Sequence, residues 1–123
     1  MSATTITPST DIRIHRKDDQ VTHLALIGRL DALGVQKIEL PFTTLTASRR
    51  KPAVVDLAEV TFLSSLGVRI LLSSAKALAA HGTKLVLLNP QPQVLQVLQL
   101  GQIVAIIPVE TELSAAFVTL GVQ

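Results

Sequence analysis

The sequence predicts an α/β fold built on one mixed β-sheet that opens with a β-hairpin. Near the start, two short segments alternate apolar and polar residues, and a polar connection at residues 17–20 separates them. From residue 32 onward, apolar residues at helical spacing alternate with short runs of Val, Leu and Ile. A hairpin followed by alternating helices and strands implies one sheet, in which right-handed crossovers join parallel neighbours.

The register of the predicted hairpin follows from its apolar residues. If these share one face, Ile14 lies opposite Leu24. The same register also pairs Ile12 with Leu26.

This register also places His15 and His23 side by side on the opposite face. Imidazoles are metal ligands, but the sequence places no carboxylate and no third histidine beside this pair. We therefore interpret the two histidines as half-exposed strand residues and expect no metal.

Two helices and the strand between them form the middle of the predicted fold. The first helix has its apolar positions at Val35, Ile38, Phe42 and Leu45. Pro41 lies within it, so we expect a kink or two short helices there. Residues 53–57 show almost no alternation, which is typical of a buried strand. A long helix starts at Ser65 and stops near His81-Gly82, with an apolar stripe of Val68, Leu71, Leu72, Ala75, Leu78 and Ala79.

The remainder of the chain is predicted as two further strands and two helices. Residues 84–88 form a buried strand, and a short helix with Val94, Leu95 and Leu98 ends at Gly101. Residues 103–107 are predicted as the last strand, and Pro108 favours an edge position for it. The apolar residues of the terminal helix are Leu113, Ala116, Phe117 and Leu120.

Composition limits the classes of function. The 123 residues suit one domain, assigned to residues 11–123, and the polar residues 1–10 are predicted to form a flexible tail without a secretion signal. A net charge of +2 and 2% aromatic residues argue against nucleic-acid binding. No apolar run approaches the roughly 20 residues of a membrane span. The chain has no cysteine, which is compatible with the cytoplasmic location that we expect.

Three stretches of the chain resemble the STAS domain family of sulphate transporters and anti-sigma-factor antagonists. They are Gly28-Arg29-Leu30-Asp31, the stretch from Val55 to Val68 that contains Ser64-Ser65-Leu66-Gly67, and the stretch from Leu85 to Val94. The resemblance covers nearly everything after Asp11. It implies a mixed sheet with helices packed mainly on one face, and a protein that binds partners without catalysis or a cofactor.

The resemblance also implies a regulatory site at the start of the second helix. In bacterial regulatory members, a serine there is phosphorylated by a serine-kinase anti-sigma factor, and Ser65 matches it. The partner-binding surface that we predict around this serine comprises Asp31, Ser64, Ser65, Gly67 and Arg69. The residues alone are equally compatible with purely structural roles. In that interpretation Ser64 or Ser65 is the N-cap of the second helix, Gly67 is a packing residue, and Asp31 caps the first helix.

One position departs from the family pattern. Phosphorylated members commonly carry Asp directly before the modified serine, whereas this chain has Ser64. This difference favours an alternative in which the protein is an adaptor subunit of a stress-sensing or transporter complex and is not phosphorylated.

A hydrolase is the main alternative from another class of protein. Ser65, His81 and Asp56 are the residue types of a catalytic triad, but the sequence lacks the Gly-x-Ser-x-Gly elbow. Ser65 and His81 are expected at opposite ends of one helix, roughly 24 Å apart at about 1.5 Å per residue. We therefore expect no enzymatic activity.

Overall fold

The computed structural model describes residues 9–123. Residues 1–8 of the predicted tail lie outside the described residues. Thr10, the last residue assigned to that tail, is buried, and its hydroxyl donates a hydrogen bond to the carbonyl oxygen of Arg29 at 2.5 Å. The folded part of the chain therefore begins before Asp11, the boundary predicted from the sequence.

The described residues form one five-stranded sheet and four α-helices. The strands lie in the order β1-β2-β3-β4-β5; β1 is antiparallel to β2, and every other neighbouring pair is parallel. The elements are β1 (Asp11–Lys17), β2 (Thr22–Leu30), α1 (Ala32–Leu45), β3 (Ala53–Leu63), α2 (Ser65–Ala80), β4 (Leu85–Leu88), α3 (Pro92–Leu100), β5 (Val109–Glu110) and α4 (Leu113–Leu120). The predicted α/β class and mixed sheet are confirmed.

The helices pack mainly on one face of the sheet, as predicted. Helices α1, α2 and α3 cover the larger core, which contains Leu24, Val55 and Leu87 of the central strands. Helix α4 covers the other face through a small cluster that includes Val54 and Ala116. Residues 53–55 of β3 and 85–88 of β4 are buried on both faces, and these segments are therefore apolar with little alternation. No helix within residues 9–123 combines the length and apolar character needed to cross a membrane.

The hairpin has the predicted register. Ile14 pairs with Leu24, and Ile12 pairs with Leu26. The pairing then shifts by one residue between Ile14 and Arg16. This irregularity is a β-bulge, which changes the direction of the side chain at the extra residue.

Helix α1 spans Ala32–Leu45 and continues without a break through Pro41. Of the two expectations at this proline, a kink or two short helices, the second is wrong. Pro41 is exposed and Phe42 is fully buried. The burial of the apolar face, including Ile38 and Phe42, stabilises the helix against the loss of one backbone donor at the proline.

Strand β3 extends six residues beyond the predicted 53–57. Residues 59–63, which were not predicted as part of the strand, pair with the second half of β2, from Glu59 beside Ile27 to Leu63 beside Leu30. Two irregularities in this pairing interrupt the alternation of buried and exposed residues. The long β3 places the start of α2 directly beside the end of β2.

Helix α2 is confirmed, but its buried face is rotated from the predicted stripe. Leu71 and Leu78 are fully buried, whereas Leu72 is only partly buried and Ala79 is exposed. The buried face is completed by Gly67, Ile70 and Ser74.

The buried Ser74 was missed because serine is usually exposed. Its hydroxyl lies 2.9 Å from that of the buried Thr46, whose hydroxyl also contacts the Phe42 carbonyl oxygen at 2.7 Å. This hydrogen bonding stabilises a polar side chain within the core.

The prediction of a strand at residues 103–107 is wrong. Ile103–Ala105 form a single 3-10 turn, and the last strand is Val109–Glu110, which lies at the edge of the sheet after Pro108. Ile103 and Ile107 are buried, while Val104 and Ile106 are exposed. A spacing of four between buried residues is typical of a helical turn. The uniformly aliphatic composition of residues 103–107 concealed this spacing in the sequence.

Candidate functional site

Two helix starts lie side by side at one edge of the sheet. Asp31 follows β2 and Ser64 follows β3, and these parallel strands end with Leu30 paired beside Leu63. The carboxyl ends of parallel strands share one edge, so the first turns of α1 and α2 are neighbours. This edge carries most of the residues that were predicted to bind a partner.

Ser64 is the N-cap of α2. Its hydroxyl oxygen accepts a hydrogen bond from the Gly67 N–H at 3.2 Å. The same hydroxyl donates to the carbonyl oxygen of Leu30 at 2.6 Å, and the Ser64 backbone N–H donates to that oxygen at 3.1 Å. The side chain is therefore turned inward, and it ties the start of α2 to the end of β2.

Ser65 is the first residue of α2, and its side chain is exposed. Within residues 9–123 no group forms a hydrogen bond with its hydroxyl. The unpaired backbone N–H groups and the positive end of the helix dipole lie in this first turn. The hydroxyl is thus accessible from solvent in an environment that favours an anion.

Asp31 lines the same edge and caps α1. Its carboxylate accepts a hydrogen bond from the Gly34 N–H at 2.9 Å and one from Arg29 Nε at 3.2 Å. The Gly34 N–H, and then Arg29, lower the pKa of the Asp31 carboxyl below its ordinary value. The structure therefore shows Asp31 as the cap of α1, and it is also compatible with the predicted role of Asp31 in partner binding.

Gly67 is buried, which favours its role as a packing residue; its contact with a partner stays a prediction. A Cβ atom at this position would lie 2.9 Å from the Leu30 Cβ and 2.7 Å from Leu63 Cδ1. Glycine is needed because the first turn of α2 passes close to the ends of β2 and β3. Gly67 shapes the site from inside the fold.

Arg69 is exposed on α2 and bridges to α1. Its two terminal nitrogens each lie 3.2 Å from a carboxylate oxygen of Glu39. The side chains of both residues are about half exposed, so the pair contributes little to folding. Arg69 remains accessible to a partner that could compete for its guanidinium group.

Three exposed apolar side chains at this edge were not predicted from the sequence as part of the site. Leu33 lies in the first turn of α1, Phe62 near the end of β3, and Leu66 directly after Ser65; they are 78%, 39% and 40% exposed. The guanidinium group of Arg29 lies 4.4 Å from the centre of the Phe62 ring. Leu66 is an apolar residue outside the predicted apolar stripe of α2, and this position was the sequence signal that it is exposed. Uncovered apolar side chains at the edge that carries Ser65 are a feature of protein docking surfaces.

The residues of the rejected catalytic triad do not converge. Ser65 begins α2 and His81 caps its other end, while Asp56 lies within β3. The helix between the first two residues holds them roughly 24 Å apart at about 1.5 Å per residue.

The two serines should differ in their contribution to stability. Ser64→Ala removes the hydroxyl that caps α2 and contacts Leu30, so the free energy of unfolding should fall by about 0.5–2 kcal/mol. Ser65→Ala should leave it nearly unchanged. Equilibrium denaturation of both variants checks this, and an equal loss in both would contradict the assignment of Ser64 as the cap.

Comparisons with known proteins agree with this architecture. The sequence model of the STAS domain family matches residues 13–116 of this chain. A Bordetella bronchiseptica protein, BtrV, whose name describes it as a candidate anti-sigma factor antagonist, is 27% identical over 100 residues, which cover 81% of this chain and 86% of that protein.

Solved structures show the same fold. An anti-sigma factor antagonist from Mycobacterium paratuberculosis aligns with a TM-score of 0.80 and 21% identity, covering 92% of this chain and 95% of that one. SpoIIAA aligns in its unphosphorylated form with a TM-score of 0.72, 21% identity and coverage of 92% and 99%. The phosphorylated form of SpoIIAA from Bacillus aligns with a TM-score of 0.66 and 22% identity, covering 89% of this chain and 99% of that one.

Proposed function

This chain belongs to the STAS domain family, and from that premise we propose that it is an anti-sigma factor antagonist that binds a serine-kinase anti-sigma factor and is switched by phosphorylation of Ser65. The observation that carries the proposal is the exposed hydroxyl of Ser65 at the start of α2, beside a Ser64 whose own hydroxyl is engaged in the cap. Relatives named as anti-sigma factor antagonists support the choice of partner class.

A phosphate on Ser65 would act on docking more than on folding. It adds a charge of about −1.5 to −2, and the first turn of a helix accommodates such a charge. A partner packed on the neighbouring Leu66 would have to desolvate the phosphate, which disfavours the complex. Binding is then weakened without a large rearrangement of the protein.

SpoIIAA supplies a precedent for two covalent states on this fold, since it has been solved in both forms. Its identity to this chain is low, so the precedent supports the proposal through the fold alone.

The proposed regulator acts in the cytoplasm and needs neither a catalytic group nor a cofactor of its own.

Ser64 supports a second candidate, an adaptor subunit that is not phosphorylated. A carboxylate at this position could accept from the Gly67 N–H, but it could not donate to the Leu30 carbonyl oxygen as Ser64 does. The chain thus has a neutral cap where phosphorylated relatives commonly have a negative charge. If a kinase requires that charge, the protein binds its partner constitutively.

Capture of the protein with its partners from its native cell, followed by mass spectrometry, tests the proposal. We expect a serine-kinase anti-sigma factor in the captured material and phosphate on Ser65 after incubation with that kinase. A large assembly without such a kinase, and without phosphate on the chain, would favour the adaptor. Phosphate found on Ser64 alone would contradict the proposed switch.

A further inference from the structure

Three potential metal ligands meet on the α4 face of the sheet, away from Ser65. His15 of β1, His23 of β2 and Asp56 of β3 each offer one ligand atom, and these atoms all lie within 4.8 Å of one another. The two imidazole centroids are also 4.8 Å apart. Two imidazoles and one carboxylate are a ligand set found in zinc sites that leave a position for water.

The pairing of β2 and β3 brings Asp56 into this group. His23 pairs with Val54, and Asp56 is two residues further along β3, so its side chain is on the same face. This corrects the sequence analysis, which placed no carboxylate beside the two histidines. Asp56 is distant in sequence, and only the parallel register of β2 and β3 reveals it.

The bulge in β1 provides the third ligand. Ile14 pairs with Leu24 and Arg16 pairs with His23, which leaves His15 as the extra residue of the strand. A bulge redirects the side chain of its extra residue. Here the ring of His15 lies beside that of His23, at an exposed edge strand that an ion can reach from solvent.

The imidazole of His23 has an unsatisfied nitrogen. The residue is only 9% exposed, and within residues 9–123 its buried Nε2 atom has no hydrogen-bond partner. Its ring is edge-on to the ring of Phe117, with centroids 6.4 Å apart, so aromatic packing holds its position. Buried polar atoms normally have partners, and an ion bound at this nitrogen would supply one.

Asp56 is held in place for coordination. One oxygen of its carboxylate accepts a hydrogen bond from the Ala58 N–H at 2.8 Å. A hydrogen bond of this type orients a ligand and leaves the second oxygen for the ion.

We propose that His15, His23 and Asp56 bind a divalent transition-metal ion of the zinc class, with water in the remaining position. Ligands at about 2.0–2.2 Å in a tetrahedral arrangement lie roughly 3.3 Å from one another, so the ligand atoms must close by about 1.5 Å at most. Because His15 is exposed on the edge strand, its side chain has room to move toward the other two ligands. The bound ion links three neighbouring strands across the sheet.

Zinc titration of the full chain, freed of any affinity tag and of metal, tests this proposal. We expect calorimetry to show one Zn²⁺ per chain and the Tm to rise with zinc concentration. His15→Ala should weaken binding at least about tenfold, because removing even an outer-shell partner of a metal costs about 10–100-fold. His15 is exposed, so this variant should fold normally.

The remaining histidine is the matched control. His81 is exposed at the end of α2, and His81→Ala should bind zinc as the wild type does. Asp56→Asn retains an oxygen for the Ala58 N–H and should also bind more weakly. Zinc should shift the NMR signals of the imidazoles of His15 and His23, but not those of His81. No stoichiometric binding, or equal binding by His15→Ala and wild type, would overturn the proposal.

Discussion

Leu71→Ala should lower the free energy of unfolding by about 2–5 kcal/mol. Leu71 is fully buried on α2 and belongs to the main core between the helices and the sheet. Truncation of its isobutyl side chain to a methyl group replaces close packing by a cavity, and the packed strands beneath limit how far the cavity can collapse. Equilibrium denaturation with a constant m-value measures the loss.

Two other positions of α2 serve as controls. Arg69→Ala removes only the exposed pair with Glu39, so its effect should stay below about 1 kcal/mol. Leu72 is partly buried, and Leu72→Ala should cost less than Leu71→Ala. A larger loss for Leu72→Ala would mean that the buried face of α2 has been assigned incorrectly.

The sequence predicted the elements that have a strong period. The hairpin register followed from alternating residues in two strands, and α2 followed from its long apolar stripe. The face of α2 was predicted less well, because Ser74 is buried through its hydrogen bond with Thr46. No residue-by-residue pattern shows a hydrogen bond between two elements that are distant in sequence.

Other segments depended on tertiary context. Residues 59–63 form a strand because the second half of β2 pairs with them, although Glu59 and Thr61 interrupt the apolar pattern. Residues 103–107 are aliphatic, as buried strands commonly are. However, of their isoleucine and valine residues only Ile103 and Ile107 are buried, and this spacing of four is that of a helical turn. In both segments, long-range pairing and packing outweighed local preference.

The candidate site was predicted in part. The structure identifies Ser64 as the cap of α2, whereas the sequence had left Ser64 and Ser65 open because serine is common at this position. For Gly67 the sequence left two roles open, because close packing and partner contact both favour glycine; its burial supports the packing role. The exposure of Leu33 and Phe62 depends on which surfaces the fold leaves uncovered, which no local pattern reports.

Ser65→Asp should weaken binding of the captured kinase by about 1–3 kcal/mol, or 5–150-fold, the range of typical switching free energies. The carboxylate puts a fixed charge at the start of α2 beside Leu66, where a docked partner must desolvate it. Folding should change little, since an acidic side chain is favourable in the first turn of a helix. Ser65→Ala should bind as the wild type does and should no longer respond to the kinase and ATP.

Ser73 allows the effect of position to be separated from that of charge. It is exposed on the same helix, two turns from Ser65, so Ser73→Asp introduces the same charge away from the proposed contact and should bind normally. Calorimetric titration of the kinase into each variant, with circular dichroism to verify folding, gives the comparison. If Ser65→Asp folds normally and binds as tightly as Ser73→Asp, a charge at Ser65 does not control docking. The neutral cap at Ser64 would then be explained by the constitutive adaptor, whose partner surface never has to exclude a phosphate.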